Sequence, residues 1–152
     1  MIADVAIRLA KLADATEIAE ISRDYIEHGL PWCWVPKRVI RAIRDCDTNV
    51  AVVGERGNIN AFGIMSYADE YAHLLLLGVR PGCRKRGVGS AVLHWLEDVA
   101  RVMGVRRIRV ESRWDNNKAR NFYCVQGYHE RAIKRGMYCG MVDGVRMEKW
   151  LD

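Results

Sequence analysis

Length and composition narrow the choice of protein class. The chain has 152 residues, half of them hydrophobic and only three of them proline, which suits one domain with a buried core and is unlike a disordered chain. The longest apolar run, residues 72–79, is too short to cross a membrane, and the charged N-terminal segment is unlike a signal peptide. We therefore predict a single domain over residues 1–152 without a membrane segment.

Cysteine and histidine usage argues against two further classes. Five cysteines without a Cys-x-x-Cys pair do not suggest a disulfide framework or a zinc site, and four histidines are widely scattered. We expect no metal, and a protein kept in the reducing cytoplasm.

The positive charge is concentrated in one segment. The net charge is +5, yet residues 77–120 hold eleven Lys/Arg against four Asp/Glu, so that the rest of the chain is slightly acidic. We expect this segment to contact an anion, with a solvated basic face as the alternative.

The first elements are predicted to be one strand and two helices. Residues 6–10 alternate as a short strand, and residues 13–29 have helical spacing. Asp14 and Glu17 make a cap-like start to this helix, whose inward face is Ile18, Ile21, Ser22 and Tyr25. An aromatic, proline-marked loop then leads to a second helix within residues 31–47, whose inward positions are Val39, Ile43 and Cys46.

Three strands and a long helix are predicted next. The strands lie within residues 49–55, 59–69 and 70–79, with a hairpin turn at residues 55–58. The helix covers residues 88–103 and ends before Gly104. Its apolar stripe is Val88, Val92, Trp95, Leu96, Val99 and Met103, and the residues predicted to face away are Glu97, Asp98 and Arg101.

The last elements complete an α/β fold. A strand over residues 105–113 precedes a short helix over residues 116–127 and one or two closing strands. The order β-α-α-β-β-β-α-β-α-β-β, without repeats or an evident linker, predicts a mixed central β-sheet flanked by helices.

The stretch RPGCRKRGVGSA, residues 80–91, joins a buried strand to an amphipathic helix. The first amides of a helix lack intrahelical acceptors and lie at the positive end of the dipole, so an anion bound there gains several hydrogen bonds. Gly87 and Gly89 allow close backbone approach, and the added charge comes from Arg84, Lys85 and Arg86. The loop is neither a Walker A motif nor G-x-G-x-x-G; a tight turn without a ligand is the alternative.

Two patterns together resemble a known family. Residues 84–89, R-K-R-G-V-G, fit the [RQ]-x-x-G-x-[GA] loop of the GNAT family of N-acetyltransferases, between the expected strand and helix. Residues 116–128 fit its second signature, N-x-x-A-x-x-x-Y-x-x-x-G-[FY]. The element order is similar from the first strand to the last, so the resemblance covers nearly the whole chain and implies a GNAT-like domain.

The resemblance implies acetyl-CoA as the acetyl donor. Its pyrophosphate would bind amides of residues 84–90. The end of the preceding strand, residues 77–79, would pair with the pantetheine arm and direct an N–H at the thioester oxygen. Asn116 would hold the cofactor from the other side. The implied cofactor-binding residues are Leu77, Val79, Arg84, Lys85, Arg86, Gly87, Val88, Gly89, Ser90 and Asn116.

Two residues are candidates for proton transfer. By resemblance, Tyr123 would protonate the departing thiolate; the alternative is a core tyrosine. His73 stands where some family members carry their base, and it is predicted to share a face with Leu75 and Leu77; the alternative is a structural histidine, with water carrying the proton. Glu70 and Glu111 are weaker candidates.

The acceptor pocket, by resemblance, lies among the first two helices, their loop and the final strands. Tyr25, Trp32 and Trp34 would then bind substrate, the two indoles as an aromatic wall; the alternative is that the indoles anchor the loop. No residue pattern identifies the acceptor.

The leading expectation is an N-acetyltransferase that moves an acetyl group from acetyl-CoA to a primary amine by direct attack in a ternary complex. A non-catalytic acyl-CoA-binding module of the same fold is the alternative. Nucleic-acid binding is disfavoured because the cations cluster at one helix start without a recognisable motif, and a route through Cys83 or Cys124 lacks a histidine partner in the sequence. Oligomeric state is left open, with a homodimer through the closing strands as one arrangement.

Overall fold

The computed structural model describes residues 5–84 and 86–152, so the predicted cofactor contact of Lys85 lies outside the described residues. The strands are β1 Ile7–Leu9, β2 Thr48–Glu55, β3 Asn58–Tyr67, β4 Ala72–Val79, β5 Arg107–Arg113, β6 His129–Tyr138 and β7 Val142–Trp150. The α-helices are α1 Ala15–Ile21, α2 Pro36–Arg44, α3 Val88–Val102 and α4 Asn117–Val125. This is the predicted order, with short 3₁₀ segments at Leu12–Asp14 and Pro81–Cys83 and a π-helix at Ser22–Ile26 in addition. Within the described ranges, none of the helices has the length and apolarity that a membrane span requires.

One mixed sheet of seven strands forms the centre of the fold, as predicted. Its spatial order is β1-β2-β3-β4-β5-β7-β6, and β4–β5 is the parallel pair. That pair is short: Ala72, His73 and Leu74 oppose Ile108, Arg109 and Val110, and the ladder stops there. Beyond Leu74 the two strands separate, which leaves the second half of β4 with a free edge toward β5.

A bulge in β4 reverses which face its side chains point to. Leu74 pairs with Met65 and Leu76 pairs with Ile64, so Leu75 is an extra residue. Leu74 and Leu77 pack into the core beneath α3, whereas Leu76 packs into the core beneath α1 and α2. The predicted common face of His73 and Leu77 is therefore wrong, since strict alternation does not continue across the extra residue.

The two cores cover the sheet unequally. One lies between the sheet and helices α3 and α4 and draws on β2 to β5 and on β7. The other lies beneath α1 and α2, and its described residues come from β2, β3 and β4 but not from β5, β6 or β7. Among the described residues, the side of β5 and β7 that faces toward α1 and α2 is therefore not covered by the core beneath those helices.

The helix after β1 changes its winding, which corrects one predicted face. α1 ends at Ile21, and the π-helix that follows has a wider turn, which shifts the phase of its side chains. Ser22 stays buried, but Tyr25 is 41% exposed. The inward position predicted for Tyr25 is therefore wrong.

Two predicted details at helix ends are also corrected. Glu17 does not cap α1; its carboxylate accepts the amides of Gly57 and Ile59 and so binds the helix to the β2–β3 turn. Cys46 and Met103 were predicted to face inward, but both lie past the ends of their helices and are exposed.

Glu97 is buried, although it was predicted to face away from the core. It is 1% exposed on α3. Its Oε2 accepts the Tyr128 hydroxyl at 2.8 Å, and Lys149 Nζ lies 3.2 Å from both oxygens. These bonds join α3, the segment between α4 and β6, and β7, and they satisfy a charge that would otherwise be costly to bury.

Replacing Tyr128 with Phe should lower the free energy of unfolding by about 2 kcal/mol, because a buried hydrogen bond to a charged group is lost. Urea titration followed by tryptophan fluorescence measures the change. Tyr71→Phe is the matched control, since no hydrogen bond joins the Tyr71 hydroxyl to another described residue. Equal unfolding midpoints for Tyr128→Phe and Tyr71→Phe would contradict the stabilising role of the buried bond.

Candidate active site

The loop before α3 leads into backbone amides that have no acceptor within the helix. Gly87 caps the helix with a φ of +76°, a left-handed conformation that favours glycine. The amide of Ala91 donates to the Gly87 carbonyl at 3.0 Å. The amides of residues 88–90 therefore precede the first bond of a 15-residue helix and lie at its positive end. Arg84 and Arg86 are exposed beside them.

Two contacts hold this helix start against its neighbours. A Cβ at Gly89 would lie 3.3 Å from Cγ2 of Val79, so α3 approaches the end of β4 closely at this point. The Ser90 hydroxyl accepts a hydrogen bond from Gln126 Nε2 at 2.8 Å. Because the Ser90 oxygen accepts this bond, the hydroxyl proton points away from Gln126 and can be donated to an anionic ligand.

Three of the predicted cofactor residues lie on or next to the strands that border the gap between β4 and β5. Leu77 and Val79 lie on the free part of β4 and contact the core beneath α3. Asn116 caps α4 on the other side, where its Oδ1 accepts the Ala119 amide at 3.1 Å. Because that oxygen is engaged in capping, Asn116 can offer a ligand its Nδ2 donor.

Tyr123 lies at the inner side of α4. It is 7% exposed, and its ring packs edge-on against Phe122 at 5.2 Å and Tyr128 at 5.6 Å. Burial raises the pKa of Tyr123 well above the ordinary tyrosine value, and no hydrogen bond joins its hydroxyl to another described residue. The phenol is therefore protonated at neutral pH and has a proton to give.

His73 and Glu111 form a pair across β4 and β5 that the sequence did not reveal. His73 Nε2 lies 2.9 Å from Glu111 Oε2, and the Glu111 side chain is 11% exposed. Burial acts to raise the pKa of Glu111, but the hydrogen bond and charge of His73 oppose it. The charges of Arg146 and Arg109 act with His73, and the pKa of Glu111 lies below its usual range. Glu111 is thus an ionised partner for the imidazole.

Tyr138, on β6, places one of the closing strands near Glu111. Burial and the negative charge of Glu111 raise the pKa of Tyr138 to about 12. The charge of Tyr138 also acts to raise the pKa of Tyr123, so Tyr138 lies within electrostatic reach of both Glu111 and Tyr123. The sequence placed the segment that contains Tyr138 on the acceptor side but did not single this residue out.

The loop between the π-helix and α2 is held by a buried carboxylate. Glu27 accepts the Ser22 hydroxyl at 2.8 Å and the amides of Cys33 and Trp34. Arg113 of β5 donates to the His28 carbonyl at 2.9 Å, which ties this loop to the end of the gap. The loop is thus fixed beside the site.

The two indoles of this loop differ in their surroundings. Trp34 is 8% exposed and packs in the core beneath α1 and α2, with the Arg38 guanidinium 3.9 Å from its ring centre. The anchoring alternative is favoured for Trp34. Trp32 is partly exposed, donates to the Ala19 carbonyl at 3.1 Å and has the Arg23 guanidinium 5.2 Å from its ring centre, so it also anchors the loop. Tyr25 is exposed on the preceding π-helix.

Family comparison agrees with this geometry. The profile described as the "Acetyltransferase (GNAT) family" matches residues 15–128. The chain belongs to the GNAT family of acetyltransferases. The [ribosomal protein bS18]-alanine N-acetyltransferase of Escherichia coli K12 is 31% identical to this GNAT chain over 84 residues, which are 55% of this chain and 57% of that protein. The chain therefore spans little more than half the length of the curated relatives it matches.

Solved structures confirm the predicted fold. Ard1 from Thermoplasma volcanium has a TM-score of 0.84 at 22% identity, over 97% of both chains. The S18-alanine enzyme of Escherichia coli has a TM-score of 0.80 at 24% identity, over 98% of this chain and 95% of its own. The PaiA N-acetyltransferase of Thermoplasma acidophilum, solved with coenzyme A, has a TM-score of 0.79 at 16% identity, over 97% and 99%.

Replacing Gly87 with Ala should lower kcat/KM for acetyl-CoA about tenfold. A left-handed residue with a Cβ is strained by about 1–2 kcal/mol, and the loop amides would be displaced. The measurement is kcat/KM for acetyl-CoA and for S-acetylpantetheine, which lacks the pyrophosphate. The loss should be confined to acetyl-CoA.

Gly57→Ala provides the matched control for the loop. Gly57 has a φ of +84° in the β2–β3 turn, and a Cβ there would contact nothing within 4 Å. It carries the same backbone strain away from α3, so both donors should be used as before. Equal losses for the two donors in Gly87→Ala would contradict a pyrophosphate site at this loop.

Proposed function

We propose that this GNAT protein transfers an acetyl group from acetyl-CoA to the N-terminal α-amine of a polypeptide, by direct attack in a ternary complex. The observation that carries the proposal is the His73–Glu111 pair at the point where β4 and β5 separate, with Tyr138 in electrostatic reach of both Glu111 and Tyr123. It supplies a base and an acid on either side of one gap.

The donor would lie along the gap. The amides before the first bond of α3, together with Arg84 and Arg86, suit a pyrophosphate. The free edge of β4 can pair with the amide groups of the pantetheine arm as an added strand would. A β4 amide at residues 77–79 then donates to the thioester oxygen as negative charge develops there.

The base is assigned to His73, oriented by Glu111. An amine is mostly protonated at neutral pH and cannot attack until it loses a proton. With His73 Nε2 donating to the Glu111 carboxylate at 2.9 Å, Nδ1 carries the lone pair that accepts the proton. The carboxylate then stabilises the imidazolium that forms.

The bonds formed and broken in the transfer balance when His73 and Tyr123 carry the protons. His73 takes the first proton from the ammonium and passes it to solvent before the attack. The free amine then forms a bond to the thioester carbon and gives its second proton to His73. The carbon–sulfur bond then breaks, and Tyr123 gives its proton to the sulfur, so that coenzyme A leaves as a thiol. The proton held by His73 returns through solvent to the Tyr123 phenolate, and the enzyme is restored.

A covalent route through a cysteine is less well supported. Cys124 is exposed, Cys83 is partly exposed, and neither has a histidine partner among the hydrogen bonds of the described residues. A thiol without an adjacent base is a weak nucleophile at neutral pH. Direct attack is therefore the simpler mechanism.

The acceptor class rests on the relatives and on the shape of the acceptor side. The curated relative with 31% identity is described as acting on an alanine of ribosomal protein bS18. NAA60 of Arabidopsis thaliana, solved with a bisubstrate analogue, has a TM-score of 0.83 at 16% identity, over 98% of this chain and 99% of its own. The acceptor side is bordered by a fixed loop and by β6, an edge strand, which leaves room for an extended chain.

A panel of acceptors tests this function. We expect acetyl-CoA-dependent thiol release with peptides that begin with a free α-amine and contain an internal lysine. The same peptides blocked at the N-terminus should be inert, and mass spectrometry should place the acetyl group on the terminal amine. Acetylation of the lysine in blocked peptides, or of polyamines and aminoglycosides alone, would contradict the proposed acceptor.

Replacing Tyr123 with Phe should lower kcat about 100-fold with little change in KM for acetyl-CoA, because the general acid is lost while the site keeps its shape. Burial raises the pKa of Tyr123 above its usual value of 10.0. The required protonated form therefore persists to higher pH, and kcat of the wild type should show no falling limb up to about pH 10. Tyr67→Phe, another buried tyrosine, is the control. A wild-type kcat in Tyr123→Phe would remove the phenol from the mechanism.

A further inference from the structure

Three arginines line an open face of the sheet beside the proposed base. Arg107 and Arg109 alternate with buried residues on β5, and Arg146 lies on β7. The ladder sets Arg109 directly across from His73 on one side, and Arg146 directly across from Glu111 on the other. We call Arg107, Arg109 and Arg146 the arginine face.

Among the described residues, no helix core covers the arginine face. The core beneath α1 and α2 draws on β2, β3 and β4, and its described residues include none from β5, β6 or β7. The three arginines are accordingly only partly buried. A ligand bound on this face would therefore lie directly beside the His73–Glu111 pair.

The positive charge of the face exceeds the carboxylates near it. The Glu148 carboxylate lies near two arginines, with its oxygens 2.8 Å from Arg109 Nε and 3.9 Å from Arg107 Nη1. The Arg109 N–H is not directed at that oxygen, because Nε makes no aligned hydrogen bond. Glu111 is engaged by His73.

Arg146 is the least satisfied member of the face. Its Nε is buried without a hydrogen-bond partner, and within the described ranges no carboxylate oxygen comes within 4.0 Å of its guanidinium. Glu111, its cross-strand neighbour, feels its charge but bonds to His73. A buried donor without a partner is costly, and an incoming carboxylate would relieve that cost.

Aromatic rings hold two of the guanidinium groups in place. The Arg109 guanidinium lies 4.2 Å from the Tyr71 ring centre, and that of Arg107 lies 5.8 Å from Tyr71 and 5.2 Å from Trp150. Stacking occupies the flat side of a guanidinium and leaves its N–H edge for bidentate bonding to a carboxylate. These donors are therefore arranged before a ligand arrives.

We propose that the arginine face, with Arg146 as its principal residue, selects acceptors that carry a carboxylate side chain close to the acetylated amine. The inference rests on the proposed transfer to a polypeptide α-amine. In an extended chain each residue advances by about 3.3 Å. The side chain of the second or third residue therefore lies over the strands next to Glu111 when the amine is at His73. Aspartate or glutamate there bonds to Arg146, and lysine or arginine is repelled.

Three otherwise identical peptides test the preference, with glutamate, glutamine or lysine at positions two and three. The wild type should show kcat/KM about tenfold higher for the glutamate peptide than for the glutamine peptide, and lowest for lysine. The charge reversal Arg146→Glu should invert the order. A merely structural role of Arg146 would change all three peptides by one factor and leave their ratios intact.

Arg41→Glu is the control, since Arg41 is exposed on α2 and its replacement makes the same change in net charge away from this face. It should keep the wild-type ratios. If none of the peptides is acetylated, the proposed function fails. If all three are acetylated equally, only the carboxylate selection fails. Equal ratios, together with tight binding of an RNA duplex that Arg146→Glu abolishes, would assign the face to nucleic acid instead.

Discussion

The site depends on one extra residue in β4. Leu75 bulges out of the β3–β4 ladder, and the short parallel pairing of β4 with β5 ends one residue earlier. The separation leaves a free backbone edge without breaking the sheet, because β3 still pairs with β4 on the other side. The bulge also reverses side-chain phase, so His73 faces the side of α1 and α2 while Leu77 faces α3. Donor and acceptor can therefore approach one gap from different sides.

The positive charge that is contiguous in the sequence is divided by the fold. Arg84 and Arg86 stay at the start of α3, where the amides before the first helical bond suit a pyrophosphate. Arg107 and Arg109 belong to β5 and lie near His73 and Glu148. In the proposed function, one basic segment would thus contact two different anionic partners.

Periodicity and turn chemistry predicted the elements because they depend on near neighbours. The strand at residues 72–79, the turn at Gly57 and the start of α3 are of this kind. Two of the failures come from contacts between distant residues. Glu97 reads as an exposed helix position until Tyr128 and Lys149 are placed beside it. Glu111 could not be paired with His73 because no local pattern gives the register of a parallel pair of strands. The π-helix that turns Tyr25 outward has no sequence signal that we recognise.

In the proposed function, acceptor recognition would be linked to Glu111 through Arg146. The positive charges of Arg146 and Arg109 contribute to holding the pKa of Glu111 below its usual range, which weakens its attraction for the proton that His73 must hold. An acceptor carboxylate bound to Arg146 offsets part of that positive charge. The field at Glu111 then becomes more negative, and the imidazolium of His73 is better stabilised at the moment when the amine gives up its proton. In the proposed function, an acidic acceptor would thus favour proton transfer from its own amine, whereas a basic acceptor would oppose it.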